Sequence, residues 1–150
     1  PFPLLDRNDM PLFDNTPFIG ASGSELNWKI ECDFLEEQDW ACLAWMASSI
    51  LPPFSSVWGV PTGGIPFADA LREFAVPGVD TWLVADDVWT TGSSVGAFRR
   101  ELIDRDGPID TDTKLQRMQT SLTIVAFNRS GKDMPHKSYA VLSVHPDVMP

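Results

Sequence analysis

The stretch Trp82-Leu83-Val84-Ala85-Asp86-Asp87-Val88-Trp89-Thr90-Thr91-Gly92-Ser93-Ser94 begins as an uninterrupted apolar run and ends in hydroxyls around a glycine. Trp82 to Ala85 reads as a strand buried on both faces of a parallel sheet. Two adjacent carboxylates directly after such a strand are costly unless a cation or a hydrogen-bond donor uses them. Behind them, Thr90 to Ser94 supply hydroxyls, a flexible Gly92 and a run of backbone N–H groups, and a helix is expected over 95–103. The positive end of that helix faces the turn, which makes the turn an anion cradle suited to one phosphate. Acids beside such a cradle point to a ligand carrying both a phosphate and sugar hydroxyls, or to a bound magnesium ion.

Outward from this stretch the pattern alternates strand with helix. Ser56 to Val60 reads as a strand, Pro61-Thr62-Gly63-Gly64 as a glycine turn, and about Phe67 to Phe74 as a helix. Downstream, Leu115 to Met118 reads as a short helix, and 122–127 and 139–144 as strands. Upstream, Trp28, Ile30 and Cys32 alternate with Lys29, Glu31 and Asp33 as a short strand does. Asp33 followed by Glu36 resembles a helix N-cap with its third-position partner. Leu35, Leu43, Met46 and Ile50 then share one helical face until Pro52-Pro53 stops the helix. Residues 1–26, rich in Pro, Gly, Asn and Ser, read as an irregular arm. The order implies one α/β domain over 1–150 with a parallel central sheet flanked by helices. Ligands in such sheets bind beyond the carboxyl ends of the strands, where both unusual turns, 61–64 and 86–94, fall.

Composition narrows the function. With 43% hydrophobic and 21% charged residues, the 150-residue chain has the balance of a globular domain with a real core. A net charge of -10 argues against a general nucleic-acid binder and against an anionic membrane surface. An anionic small ligand is then held by locally placed amides, a metal or a few cations. No apolar run approaches the roughly 20 residues of a membrane span, and the opening residues lack the basic start and apolar stretch of a signal peptide. Cys32 and Cys42 are too few for a disulfide framework or a thiolate zinc site, so a reducing, cytoplasmic setting is expected. In that setting the sequon Asn128-Arg129-Ser130 is a chance occurrence. His136 and His145 are too isolated for a metal site. Of the six tryptophans, Trp40 and Trp45 are expected to fill core or a subunit contact. Trp89, inside the phosphate loop, either shields the site from water or packs against a second chain.

Residues 83–94 resemble the phosphoribosyl-pyrophosphate signature of the type I phosphoribosyltransferases: an apolar strand, two acids and a Thr-Thr-Gly phosphate loop. Val57-Trp58-Gly59-Val60-Pro61-Thr62-Gly63-Gly64-Ile65-Pro66 resembles that family's pyrophosphate loop, where two glycines let backbone amides approach a diphosphate closely. Within the family the orotate enzymes look nearest. Ser22-Gly23 and the strand at Trp28-Lys29-Ile30 resemble their N-terminal segment, which forms a small hood and lines the base pocket. Arg129, directly after a strand, reads either as the base-contacting arginine, paired bidentately with a carboxylate, or as a solvated residue.

The resemblance implies transfer of ribose 5-phosphate from phosphoribosyl pyrophosphate to a base nitrogen. Asp86 and Asp87 would hold the ribose hydroxyls, directly or through Mg2+. Thr90, Thr91, Gly92, Ser93 and Ser94 would hold the 5′-phosphate, Thr62, Gly63 and Gly64 the pyrophosphate, and Lys29 and Arg129 the base. A homodimer is also implied. One departure stands out, because orotate enzymes carry a long loop with Lys and Arg before the acidic strand. Here that link is Ala75-Val76-Pro77-Gly78-Val79-Asp80, without a cation, and Arg72 is the nearest one. An alternative is therefore a non-catalytic module of the same fold that senses the donor or a nucleotide. Other readings fit less well. A haloacid-dehalogenase-type phosphatase needs its acids separated by one residue, a dinucleotide fold needs Gly-x-Gly-x-x-Gly, and a P-loop needs a Lys after Gly92.

Overall fold

The computed structural model describes residues 12–14, 17–19, 25–26, 28–105 and 110–144. Ser22, Gly23 and His145 lie outside them. The chain forms two compact units, one up to Glu36 and one from Glu37 onward.

The first unit holds two short antiparallel ladders. β1 (Phe13–Asp14) pairs with β4 (Lys29–Ile30), and β2 (Phe18–Ile19) with β3 (Glu25–Leu26). The arm expected to be irregular over 1–26 thus contains three two-residue strands, too short for any alternation to show in the sequence. Phe13 and Trp28 pack rings with centroids 6.2 Å apart. The strand expected over 28–32 ends at Ile30, and Cys32–Phe34 forms a 3-10 turn. Asp33 lies within that turn and does not cap the next helix, which begins only at Glu37.

The second unit is a four-stranded, wholly parallel sheet in the order β5 (Ser56–Gly59), β6 (Trp82–Trp89), β7 (Ser121–Asn128), β8 (Ser138–Ser143). α1 (Glu37–Ser48) precedes it and packs on α2 (Ile65–Leu71), which connects β5 to β6. α3 (Ser93–Asp104) and α4 (Thr111–Thr120) connect β6 to β7. Every residue of β7 is buried, which accounts for its nearly unbroken apolar run. Phe67, Leu71, Leu83, Ile124 and Val125 are fully enclosed, each such large side chain contributing about 1.5–3 kcal/mol.

Several boundaries differ from the sequence reading for local reasons. The buried face of α1 is Trp40, Leu43, Ala44 and Ala47, at helical spacing. Ile50 lies beyond the helix end and is exposed, and Leu35 precedes its start. Trp40 meets Phe67 at 5.8 Å between ring centroids, whereas Trp45 is 67% exposed. α4 runs ten residues, not four, because Asp110 caps it: its carboxylate accepts from the Thr113 amide (2.9 Å) and hydroxyl (2.7 Å). α4 buries none of its residues, so no apolar period announces it. Among the described residues, no helix is long and apolar enough to cross a membrane.

Candidate functional site

β6 outruns its neighbour. β5 ends with Gly59 opposite Ala85, while β6 continues through Asp86, Asp87, Val88 and Trp89 against β7. Both acids therefore lie inside the strand and not in a turn after it. Their charge breaks the apolar pattern, so the sequence alone ends the strand too early. Beyond Ala85 the ladder to β7 runs Asp86 to Val125 and then Val88 to Phe127. The Asp87 amide donates to Oδ1 of Asp86 (2.9 Å), and the Val88 amide to Oδ1 of Asp87 (2.7 Å).

The glycine turn occupies the ground that β5 vacates. Val60 donates its amide to the Ala85 carbonyl (2.8 Å), and its own carbonyl accepts from Gly64 (2.9 Å). The Pro61–Thr62 peptide is cis. Gly63 lies directly against the Asp87 carboxylate. A methyl group at Gly63 would stand 2.8 Å from Cγ and 3.1 Å from Oδ1 of Asp87, and closer still to Oδ2. One at Gly64 would stand 2.8 Å from the Val60 nitrogen and 2.9 Å from the Asp86 Cα. Two segments more than twenty residues apart in sequence thus meet: backbone to backbone at Gly64, where a Cβ has no room, and backbone to side chain at Gly63, where the Asp87 carboxylate would have to move to admit one.

The two acids are not equivalent. Asp86 is only 6% exposed, and burial, followed by the negative charge of Asp87, pushes its carboxyl up to about 7. Asp87 is half-buried beside the turn. A buried carboxylate held this way favours a cation or a hydroxyl donor next to it.

Past Trp89 the chain turns through Thr90 and Thr91 into α3, whose N-cap Gly92 has φ 80° and makes no side-chain cap bond. The Thr91 and Ser93 hydroxyls meet at 2.9 Å, and the Ser93 amide approaches Oγ1 of Thr91 at 3.4 Å. Ser93 and Ser94 belong to the first turn of α3, one residue pair earlier than the helix expected from 95. Their amides are therefore among those that a helix leaves for an anion. Thr90, Thr91, Ser93 and Ser94 are all exposed.

Arg129 directly follows β7, and its amide donates to the Trp89 carbonyl (3.0 Å), which ties it to the same edge of the sheet. Partial burial lowers the pKa of its guanidinium from the ordinary range. Lys29 belongs to the first unit, where it pairs with Glu31 and lies 3.8 Å from Asp14. The second unit thus brings Gly63, Gly64, Asp86, Asp87, the 90–94 turn and Arg129 to the carboxyl end of one sheet.

One contributor was missed in the sequence. Asn128, 2% exposed, donates to the Lys132 carbonyl (2.8 Å) and accepts from the Ser130 amide (3.0 Å) and hydroxyl (2.7 Å), fixing the turn after Arg129. A lone polar residue closing an apolar strand was the available signal, and its buried amide agrees with reading the sequon as chance. Trp89, singled out in the sequence, packs its indole against Gly92 and the buried cluster of Val60, Val84 and Val95.

The link expected to lack cations is also fixed in place. Val76 donates to the Phe54 carbonyl (2.8 Å) and Ser55 to the Thr81 carbonyl (2.8 Å), so residues 75–81 lie where β5 and β6 begin, at the opposite end from the acids. Arg72 pairs with Asp69 on the exposed end of α2.

Among solved structures, the orotate phosphoribosyltransferase of Aeropyrum pernix matches with a TM-score of 0.63 at 22% identity, over 88% of each chain. The Francisella tularensis orotate phosphoribosyltransferase matches with a TM-score of 0.53 at 14% identity, over 91% of this chain and 83% of that one. No protein-family model and no curated protein matches the sequence. The fold is that of the type I phosphoribosyltransferases.

Proposed function

We propose that this chain is a phosphoribosyltransferase that moves ribose 5-phosphate from phosphoribosyl pyrophosphate to a ring nitrogen of a base, with an orotate-like pyrimidine favoured. The observation that most supports this reading is the contact of Gly63 with the Asp87 carboxylate, which sets the glycine turn beside the two acids of β6. Thr62, Gly63 and Gly64 would hold the pyrophosphate, Asp86 and Asp87 the ribose hydroxyls, and Thr90 to Ser94 the 5′-phosphate. Arg129 would meet a carboxylate on the base. The C1–O bond of the donor breaks as the C1–N bond forms, pyrophosphate leaves with the bonding electrons, and the base nitrogen loses its proton to solvent. Positive charge grows on the ribose during that exchange, next to the two acids, so the protein's part is electrostatic positioning.

Among the described residues, no group of three His, Cys, Asp or Glu side chains is placed to hold a metal. The adjacent carboxylates of Asp86 and Asp87 nevertheless fit Mg2+, which keeps several waters and takes one or two carboxylates plus substrate oxygens. Bound there, it would neutralise charge on the leaving pyrophosphate. The reading includes a homodimer in the cytoplasm, for which Trp45 offers an exposed apolar surface on α1.

One observation favours a second reading. The 75–81 link carries no Lys or Arg and lies at the far end of the sheet, so it cannot bring a cation to the leaving group. A donor sensor of the same fold would need none. Pyrophosphate release, measured with donor, Mg2+ and a panel of pyrimidine and purine bases, tests the two. Release that depends on one base supports the transferase; donor binding without release from any base supports the sensor.

A further inference from the structure

The 90–94 turn is polar and exposed, yet a cradle that grips a dianion through backbone amides works best when its shape exists before the ligand arrives. Something apolar must hold it. Gly92, at φ 80°, lies flat against the Trp89 indole: a methyl group there would stand 2.5 Å from Cζ2 and 3.0 Å from Cζ3, and closer still to Cη2. The same indole packs against the buried cluster of Val60, Val84 and Val95, alongside Trp82, Phe98 and Leu102. Val95 is in the first turn of α3, and Val60 makes the two backbone bonds that fold the glycine turn. The Trp89 carbonyl meanwhile accepts from Arg129. A single side chain therefore fills the space between the core and the turn, and its backbone joins β7.

We propose that Trp89 is a positioning residue, its indole serving as the floor that holds the 90–94 turn in its anion-binding shape. This rests on the reading of that turn as the 5′-phosphate cradle. A smaller apolar side chain would leave Gly92 unsupported, and the turn would have to be ordered by the ligand, at a cost in affinity.

The test is calorimetric titration of ribose 5-phosphate, and separately of pyrophosphate, into the wild type, Trp89→Phe and Trp89→Leu, with tryptophan emission followed in parallel. Trp89→Leu is expected to weaken ribose 5-phosphate by about tenfold or more, Trp89→Phe by only about threefold, and neither to change pyrophosphate by more than about threefold. Ribose 5-phosphate is expected to change the wild-type emission, and that change to vanish in Trp89→Phe. Unaltered ribose 5-phosphate affinity in Trp89→Leu, or equal loss of both ligands, overturns the positioning role while leaving the site reading intact. A wild type that binds no ribose 5-phosphate overturns both. Should Trp89→Leu fail to fold, the emission comparison decides, and an identical change in wild type and Trp89→Phe overturns the proposal.

Discussion

Asp86 is a carboxyl group in a place that suits its neutral form. Burial and the adjacent charge of Asp87 raise it to about 7, against an ordinary value near 3.8. A raised carboxyl makes the folded state bind a proton that the unfolded chain has released. Its stabilising effect is thus complete below the ordinary value and is lost as pH rises through about 7. Asp86→Asn removes that dependence. Relative to the wild type, the ligand-free variant is expected to be more stable at pH 8, by on the order of 1 kcal/mol or more. The gap should narrow at pH 5. Thermal melts at the two pH values check it, and a gap that does not depend on pH would contradict it. Nothing in the sequence showed this difference between the acids. Adjacent Asp86 and Asp87 announce a demand for a partner, but which one is buried depends on where β5 stops.

At the scale of elements, β6 outruns β5 and a glycine turn fills the gap, which brings the candidate site residues together. Gly63→Ala should force the turn and the Asp87 carboxylate apart. It is expected to weaken pyrophosphate binding by at least about tenfold, ~1.4 kcal/mol, with the fold retained; unchanged affinity would mean that the turn does not face the ligand. α4 gives the opposite case. Its cap is Asp110, and it ends where β7 begins, away from the acids. Asp110→Ala should cost about 1 kcal/mol of stability and leave donor affinity unchanged, as denaturant melts and calorimetry would show. The strands of the parallel sheet and the two turns at 61–64 and 90–94 were readable because their apolar runs, glycines and hydroxyls are chemically distinctive, although β6 runs on past its apolar stretch through the two acids. α4 was readable only in part, because a helix set by its cap and burying nothing has no apolar stripe. The buried face of α1 escaped because two alanines, Ala44 and Ala47, supply half of it.

Across the whole molecule, the net charge is -10, although the proposed ligand is an anion. Most described cations of the second unit are committed elsewhere. Arg105 stacks on Trp58 at 4.7 Å, Lys114 pairs with Asp104 at 2.6 Å, and Arg99 donates to the buried Thr123. Arg129 and Lys132 follow β7 at the carboxyl end of the sheet. On the proposed reading, anion binding would fall to backbone amides, the α3 terminus and a cation held by the acids. The 75–80 link carries no Lys or Arg, and because it directly precedes β6 it lies at the end of the sheet away from the acids. The most direct measurement is calorimetry of phosphoribosyl pyrophosphate with Mg2+ against the wild type and the Asp86→Asn, Asp87→Asn double variant. The account predicts saturable binding to the wild type and none to the double variant, with the two proteins equally folded by circular dichroism. Equal affinity in both would contradict it.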